Sequence, residues 1–327
     1  MARPAASDLK RRRRGDRRAL ARPRSGAVSG GTAGARAAAA QVAVAAQLAC
    51  LLEASAPKPG NVHPGAAFHD TSYQDFLASA AAIGPAFARA GEQPLGRTIR
   101  EAIEATARWV PRNSNLGIVL LLSPLARAAL ERGRRSLRDA LTAVLAATTV
   151  DDAADAYAAI RLARPGGLGH APEQDVARPP TVTLRAAMAL AAPRDAIARE
   201  YATDFGITFD VGAPALRRAL ADGLSWSDAV VETFLTLLAA SPDTHIARKL
   251  GPEAAAAVTR RAQDVAQAGG VRSAAGREAL QAFDAELRDG RNTKNPGAAA
   301  DLTAAAIFIA LAEGRWSAAG RRGDAGA

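Results

Sequence analysis

An all-α fold is predicted by three features of the 327-residue chain. Apolar residues recur at three- and four-residue spacing from about residue 37 onward, alternating strand-like runs are nearly absent, and Gly, Pro, Asp or Ser brackets each apolar segment. With 49% hydrophobic residues the chain can bury a sizeable core. Helices are expected at roughly 38–55, 73–90, 97–109, 115–131, 136–147, 151–163, 193–204, 212–222, 227–240, 252–268, 273–288 and 299–313. Pro57 stops the first, Ser72 and Gly91 bracket the second, and Gly96 and Pro111 the third. Ser114 precedes and Gly133 follows the fourth, Ser136 starts the fifth, and Asp151 and Pro165 bracket the sixth. Pro193, Gly212, Ser227, Pro252 and Ser273 open the next five, and Gly297 and Gly314 flank the last. Segments 115–131 and 302–312 are apolar almost throughout, so both are expected as central helices buried on most sides. No composition shift separates two halves after residue 37 and no fixed-period repeat is present, so a single domain is expected over 37–315.

The net charge of +10 is confined to one end. Residues 1–36 hold ten Arg and Lys10 against Asp8 and Asp16, a balance of +9, which leaves 31 basic against 30 acidic residues for the rest. This Arg-rich segment lacks apolar periodicity and is expected to be a disordered tail, as is the stretch 316–327. It suits phosphate neutralisation on RNA or an anionic membrane, but a solvated extension is the plainer reading, and nucleic acid is not expected as a partner. The tail lacks the uninterrupted apolar core of a signal peptide, and no later run of about 18 apolar residues is expected to span a membrane, so a cytoplasmic protein is expected. One cysteine, Cys50, excludes an internal disulfide framework and any Cys-rich zinc site, and its apolar neighbours suggest an inert core thiol. A homodimer is compatible with such a body.

Polar, Gly/Pro-punctuated clusters fall between the helices, at 57–70, 111–117, 164–176, 241–251 and 291–301, where a helical scaffold presents its loops. In Pro57-Lys58-Pro59-Gly60-Asn61-Val62-His63, two prolines fix a rigid elbow around a cation. It is either a phosphate cradle, with Lys58, Gly60 N–H, Asn61 and His63 facing oxyanions, or a helix-ending turn. Asn113 and Asn115 enter an apolar helix whose free N–H groups attract anions, although capping alone accounts for one of them. Arg164-Pro165-Gly166-Gly167-Leu168-Gly169-His170 is Gly-rich without following a strand, so the dinucleotide fingerprint does not apply, and a lid is the alternative. Asp243, His245, Arg248 and Lys249 gather a carboxylate, an imidazole and two cations within seven residues. Asn295 precedes Pro296-Gly297, and Asp301 interrupts an apolar helix, as a first-turn acid or as a metal or substrate ligand.

Taken in order, the segments EASAPKPGNVHP, RNSNLG, ARPGGLGHAPEQDV, SPDTHIARK and NPGAAADLTAAAIF resemble the triphosphoribosyl-dephospho-CoA synthase family across roughly residues 40–313. The resemblance implies an all-α enzyme that transfers the triphosphoribosyl group of ATP to the 2′-hydroxyl of 3′-dephospho-CoA and releases adenine, making a prosthetic-group precursor. ATP, the acceptor and Mg²⁺ are the implied substrates and cofactor. Breaking the N-glycosidic bond builds positive charge at C1′, which calls for carboxylates and an acid for the departing base. Asp243 and Asp301, with His245, are the candidates for that chemistry, and the two carboxylates also for the metal. Lys58, Arg248 and Lys249 are candidates for the triphosphate, with Gly60, Asn61, His63, Asn113, Asn115 and Asn295 orienting sugar or phosphate oxygens. The chain departs from the citrate-lyase type, which has a His and a Lys around Asn115-Leu116, an Arg in the loop at Leu168, an Asn at His245 and a Ser at Asn295. A related ribosyl transfer to another acceptor, such as a C1-carrying pterin, is the alternative within this scaffold. A non-catalytic helical protein binding nucleic acid through its tail is the alternative of another class.

Overall fold

The computed structural model describes residues 29–314. Its α-helices run in order: α1 Ser29–Ser55, α2 Tyr73–Ala82, α3 Gly84–Phe87, α4 Leu95–Ala107, α5 Leu116–Glu131, α6 Leu137–Ala146, α7 Val150–Ala163 and α8 Leu184–Ala191. They continue with α9 Ala196–Ala202, α10 Ala213–Ala221, α11 Trp226–Ala240, α12 Thr244–Leu250, α13 Pro252–Gln267, α14 Ala274–Leu287 and α15 Gly297–Ala312. A π-helical turn at Thr208–Gly212 leads into α10 and a 3₁₀ turn at Gly270–Arg272 precedes α14. Among the described residues there is no strand, only an isolated bridge between His63 and Ala66. The all-α expectation holds.

The two segments expected to be central are so. Every residue of α15 from Leu302 to Ala310 is buried, and α1, α5, α10 and α11 pack around it. On α5 the buried run extends from Ile118 to Ala126, with Tyr201 of α9 donating its hydroxyl to Leu120 O at 2.6 Å. Small residues on α1 and α15 let these helices approach closely, while Leu and Phe from α5 and α11 fill the remaining space.

Four expectations change. The helix expected at 73–90 breaks at Ile83, because Pro85 has no N–H to continue the ladder and instead starts α3. Residues 184–191 and 244–250 form helices, α8 and α12, in stretches read as a connection and a polar loop. Residues 29–36, read as the end of a disordered tail, form the first turns of α1; residues 1–28 and 315–327, the remainder of the tail readings, lie outside the described residues. Finally, Ala33–Ser55 is long and apolar enough to cross a membrane, by length and composition. No such run was expected, because this one sits within α1 at the edge of the basic segment. In the structure α1 packs along α2, α5 and α15.

Helix starts are fixed by side chains. Ser72, Ser136, Thr149, Thr183, Asp195, Ser225, Asp243 and Ser273 each accept a hydrogen bond from the first turn that follows. Asp152 serves two helices: Oδ2 closes the capping box of α7 with Thr149, and Oδ1 accepts from Gly96 N of α4 at 2.8 Å. At Gly96 an added Cβ would lie 2.4 Å from Asp152 O and 2.5 Å from its Cα, both backbone atoms that cannot yield. Gly96→Ala is therefore expected to separate α4 from α7 and to destabilise the protein by about 3 kcal/mol, the upper end for overpacking. Thermal denaturation checks this; an unchanged melting temperature would contradict it.

Candidate active site

The ends of α1, α5, α7, α9, α12 and α15 converge at one end of the bundle around an open cavity of about 1030 Å³. All five polar clusters contribute to its wall, the first through Asn61, Val62 and the segment 68–70. Of the residues expected at the site, Asn61, Asn113, Asn115, His245, Arg248, Lys249, Asn295 and Asp301 line it. Lys58, Gly60, His63 and Asp243 do not.

Those four serve other ends. Lys58 is completely buried, and its ammonium pairs with the Glu53 carboxylate at 2.9 Å while donating to Glu53 O and, at 3.3 Å, to Ala56 O. It thus caps the free carbonyls at the end of α1 rather than facing a phosphate. Gly60, at φ +71, packs against Leu287 with no room for a Cβ, and its N–H donates to Asp284 Oδ1 at 2.8 Å. His63 turns back on its own loop, where Nδ1 accepts from Gly65 N at 3.1 Å. Asp243 is the N-cap of α12: Oδ1 accepts from His245 N and Ile246 N, and Oδ2 accepts from Ala299 N of α15 at 2.8 Å. Burial pushes its carboxyl up to about 6 against these three donors. With its oxygens engaged by these three donors and off the cavity wall, Asp243 joins α12 to α15.

The asparagines are partly committed. Asn295 Nδ2 donates to Gly60 O and to Asn61 Oδ1 at 2.9 Å, and Arg288 Nη2 donates to Asn61 O at 2.7 Å, so the elbow is clamped to the end of α14 and the start of α15. Asn113 Oδ1 accepts from Leu116 N at 3.0 Å, which caps α5, and Asn115 Nδ2 donates to Thr106 Oγ1 at 3.1 Å.

Asp301 is the residue with chemical freedom. It lies in the cavity wall, half-buried but strongly desolvated, and no hydrogen bond or ion pair engages its carboxyl among the described residues. Desolvation raises its pKa well above the ordinary carboxylate range; the negative charges of Glu53, Asp243 and Asp195 add to this, and Arg248 opposes it. The carboxyl rests on Gly117 near the start of α5, where a Cβ would sit 2.0 Å from Oδ2. His245 is accommodated likewise: a Cβ on Gly297 would come within 2.3 Å of its Nδ1. Burial and the charges of Lys249 and Arg248 lower its pKa to about 3, so its imidazole is neutral at neutral pH. Among the described residues no group of three or more His, Cys, Asp or Glu is arranged to hold a metal ion.

Cations ring the opening. Arg248 pairs with Asp195 at 3.2 Å and donates through Nε to Gly166 O, Arg112 pairs with Asp70 at 3.2 Å, and Lys249 reaches Asn292 O at 3.5 Å. The Gly-rich loop is tethered over the cavity, with Gln174 O accepting from Tyr157 Oη at 2.5 Å and Val176 O from Arg161 at 2.6 Å. Glu53, Asp195 and Arg194, all in the cavity wall, escaped the sequence reading because each sits on a helix or its flank, where a charge reads as a solvated face.

The model of the family CitG, described as ATP:dephospho-CoA triphosphoribosyl transferase, matches residues 39–319. The chain belongs to this family. A crystal structure from Archaeoglobus fulgidus, assigned as a triphosphoribosyl-dephospho-CoA synthase, is similar with a TM-score of 0.56 and 32% identity, covering 73% of this chain and 98% of that one. Curated proteins named 2-(5''-triphosphoribosyl)-3'-dephosphocoenzyme-A synthase by inference match over shorter stretches. The one from Pseudomonas savastanoi pv. phaseolicola is 36% identical over 113 residues, 34% of this chain and 38% of the relative. That from Pseudomonas putida is 35% identical over 34% of this chain and 40% of the relative. The matched stretch thus spans well under half the length of these curated relatives. In this CitG member the departures at Asn115, Leu168 and His245 all lie on the cavity wall.

The raised pKa of Asp301 has a thermodynamic consequence. Its favourable contribution is complete at pH below the unfolded carboxylate value and is lost as pH rises through the higher folded value, where a charge without a partner must be held. Asp301→Asn is therefore expected to melt higher than the parent at pH 8, with the difference closing at pH 4. A variant that is less stable at both pH values would contradict this account of the site.

Proposed function

We propose that this protein transfers the triphosphoribosyl group of ATP to the 2′-hydroxyl of 3′-dephospho-CoA and releases adenine. The single observation that carries the reading is Asp301, an unpartnered carboxyl at the bottom of a cavity rimmed by Arg and Lys, in a chain of the CitG family. The arrangement suits the chemistry at both ends of ATP. Arg248 and Lys249, with Arg112 and Arg164 beside them, supply cations for the triphosphate, and apolar wall residues such as Ile118, Leu120, Ile160 and Met188 suit an adenine ring. Magnesium enters as MgATP, a substrate, with ligands from the phosphates and water. A carboxyl whose protonated form is favoured by burial can hand its proton to the departing base, and the neutral His245 can orient a sugar hydroxyl without adding positive charge near C1′.

The volume of about 1030 Å³ exceeds the range usual for one small ligand and is open enough for donor and acceptor together. The missing family cations at Leu116 and Leu168 favour a second reading, transfer to a differently charged acceptor, which competition between acceptors would reveal. Both proposed substrates are cytoplasmic nucleotides, and the cytoplasm is where this reading places the protein.

Incubation with MgATP and dephospho-CoA is expected to release adenine in step with the joined product, as followed by liquid chromatography. No adenine with any ribosyl acceptor would overturn the reading. Lys249→Ala and Arg248→Ala are each expected to lower kcat/KM for ATP by about 10- to 100-fold, the loss of one charge-assisted hydrogen bond. Changes below twofold would remove both from the triphosphate site.

A further inference from the structure

The carboxylate expected to work beside Asp301 was Asp243, and its oxygens are occupied. The cavity holds a second carboxylate that fits better. Glu53 is in the last turn of α1, its side chain only 5% exposed, and it lines the same cavity as Asp301. Of the charges acting on Asp301 it weighs most, and the thiol of Cys50, one turn earlier on α1, is pushed up by burial and further by both carboxylates. The two acids therefore lie near each other in the wall of the cavity.

Glu53 offsets the buried charge of Lys58, but stability alone does not call for this pair. An acid at a helix C-terminus opposes the helix dipole, and a buried ion pair is weak evidence for stability, since apolar residues of similar size often serve as well. What the structure provides is aim. Pro57 and Pro59 fix the elbow so that Lys58 folds back onto α1, where its ammonium holds Glu53 through one oxygen, Oε1. Among the described residues no group donates a hydrogen bond to the other oxygen, Oε2. A carboxylate fixed on one side and unengaged on the other is the arrangement of a base with a fixed direction.

We propose that Glu53 is the base that takes the proton from the acceptor hydroxyl, and that Lys58 is a positioning residue that fixes its carboxylate in the cavity. This rests on the transferase reading above. The C1′–N9 bond breaks with its electron pair passing to adenine, which takes a proton from Asp301. The acceptor oxygen bonds to C1′, and its proton passes to Glu53. Exchange with water through the open cavity restores both groups.

The test uses the full chain, MgATP and dephospho-CoA. Glu53→Ala is expected to lower kcat for adenine release by about 10²- to 10⁴-fold, with KM for ATP within threefold of the parent. Sodium azide, a nucleophile with no proton to lose, is expected to restore adenine release in Glu53→Ala, giving an azide-substituted triphosphoribose visible by mass spectrometry. It is not expected to rescue Asp301→Asn. Lys58→Met is expected to lose at least tenfold in kcat and Lys58→Arg to recover most of it. If the parent releases adenine but Glu53→Ala stays within threefold of it, or folds and binds ATP yet gains nothing from azide, the base assignment is overturned and the transferase reading stands. If the parent releases none, the transferase reading falls and this assignment falls with it. Joint loss of folding in Glu53→Ala and Glu53→Gln would assign Glu53 to stability instead and overturn the proposal.

Discussion

An ammonium group without access to solvent organises this end of the molecule. Such a charge persists only where opposite charge and carbonyl oxygens surround it, and Lys58 has the Glu53 carboxylate and the carbonyls of Glu53 and Ala56. Meeting that need bends the chain sharply after α1 and delivers Gly60 and Asn61 to the end of α14. There Asp284, Arg288 and Asn295 grip the elbow through its backbone. The start of α15, which carries Asp301, is thereby tied to the end of α1, which carries Glu53. Asp243 adds the third joint, from α12 to Ala299. Two carboxylates and a histidine from three distant parts of the sequence are held by bonds that leave Asp301 itself free.

The charges are layered with depth. Carboxylates occupy the bottom, where desolvation raises the pKa of Asp301 and keeps His245 neutral, while arginines and Lys249 occupy the mouth beneath the tethered Gly-rich loop. A ligand that is polyanionic at one end and develops positive charge at a carbon some way along fits such a gradient. The same layering explains why so basic an opening coexists with acids inside: the two sets are separated by depth, with Arg248 and Asp195 pairing between them at 3.2 Å.

Much of the fold was legible in the sequence because helical periodicity is a local property. Segments 115–131 and 302–312 announced their central position by being apolar on all faces. The misses are where local pattern is thin: α8 has only eight residues, and the break at Ile83 is visible only in Pro85. Polar loops likewise announced the cavity. Their individual roles were not legible, because direction is a tertiary property. Lys58 reads as a phosphate ligand until the prolines are seen to turn it inward, and Asp243 reads as a reacting carboxylate until Ala299 is found on its second oxygen. Glu53 carried one faint signal, an acid in the last turn of a helix, against the dipole and five residues before a lysine set between prolines.

The central claim is that carboxylates at the bottom address the ribose carbon while cations at the mouth hold the phosphates. A crystal structure with MgATP bound tests it most directly. The account expects the triphosphate on Arg248 and Lys249 and C1′ at the bottom, between the carboxyl groups of Glu53 and Asp301, with the acceptor path to C1′ open to about 3.5 Å. ATP bound the other way round, with its phosphates beside Glu53 and Lys58 and its ribose at the mouth, would contradict it.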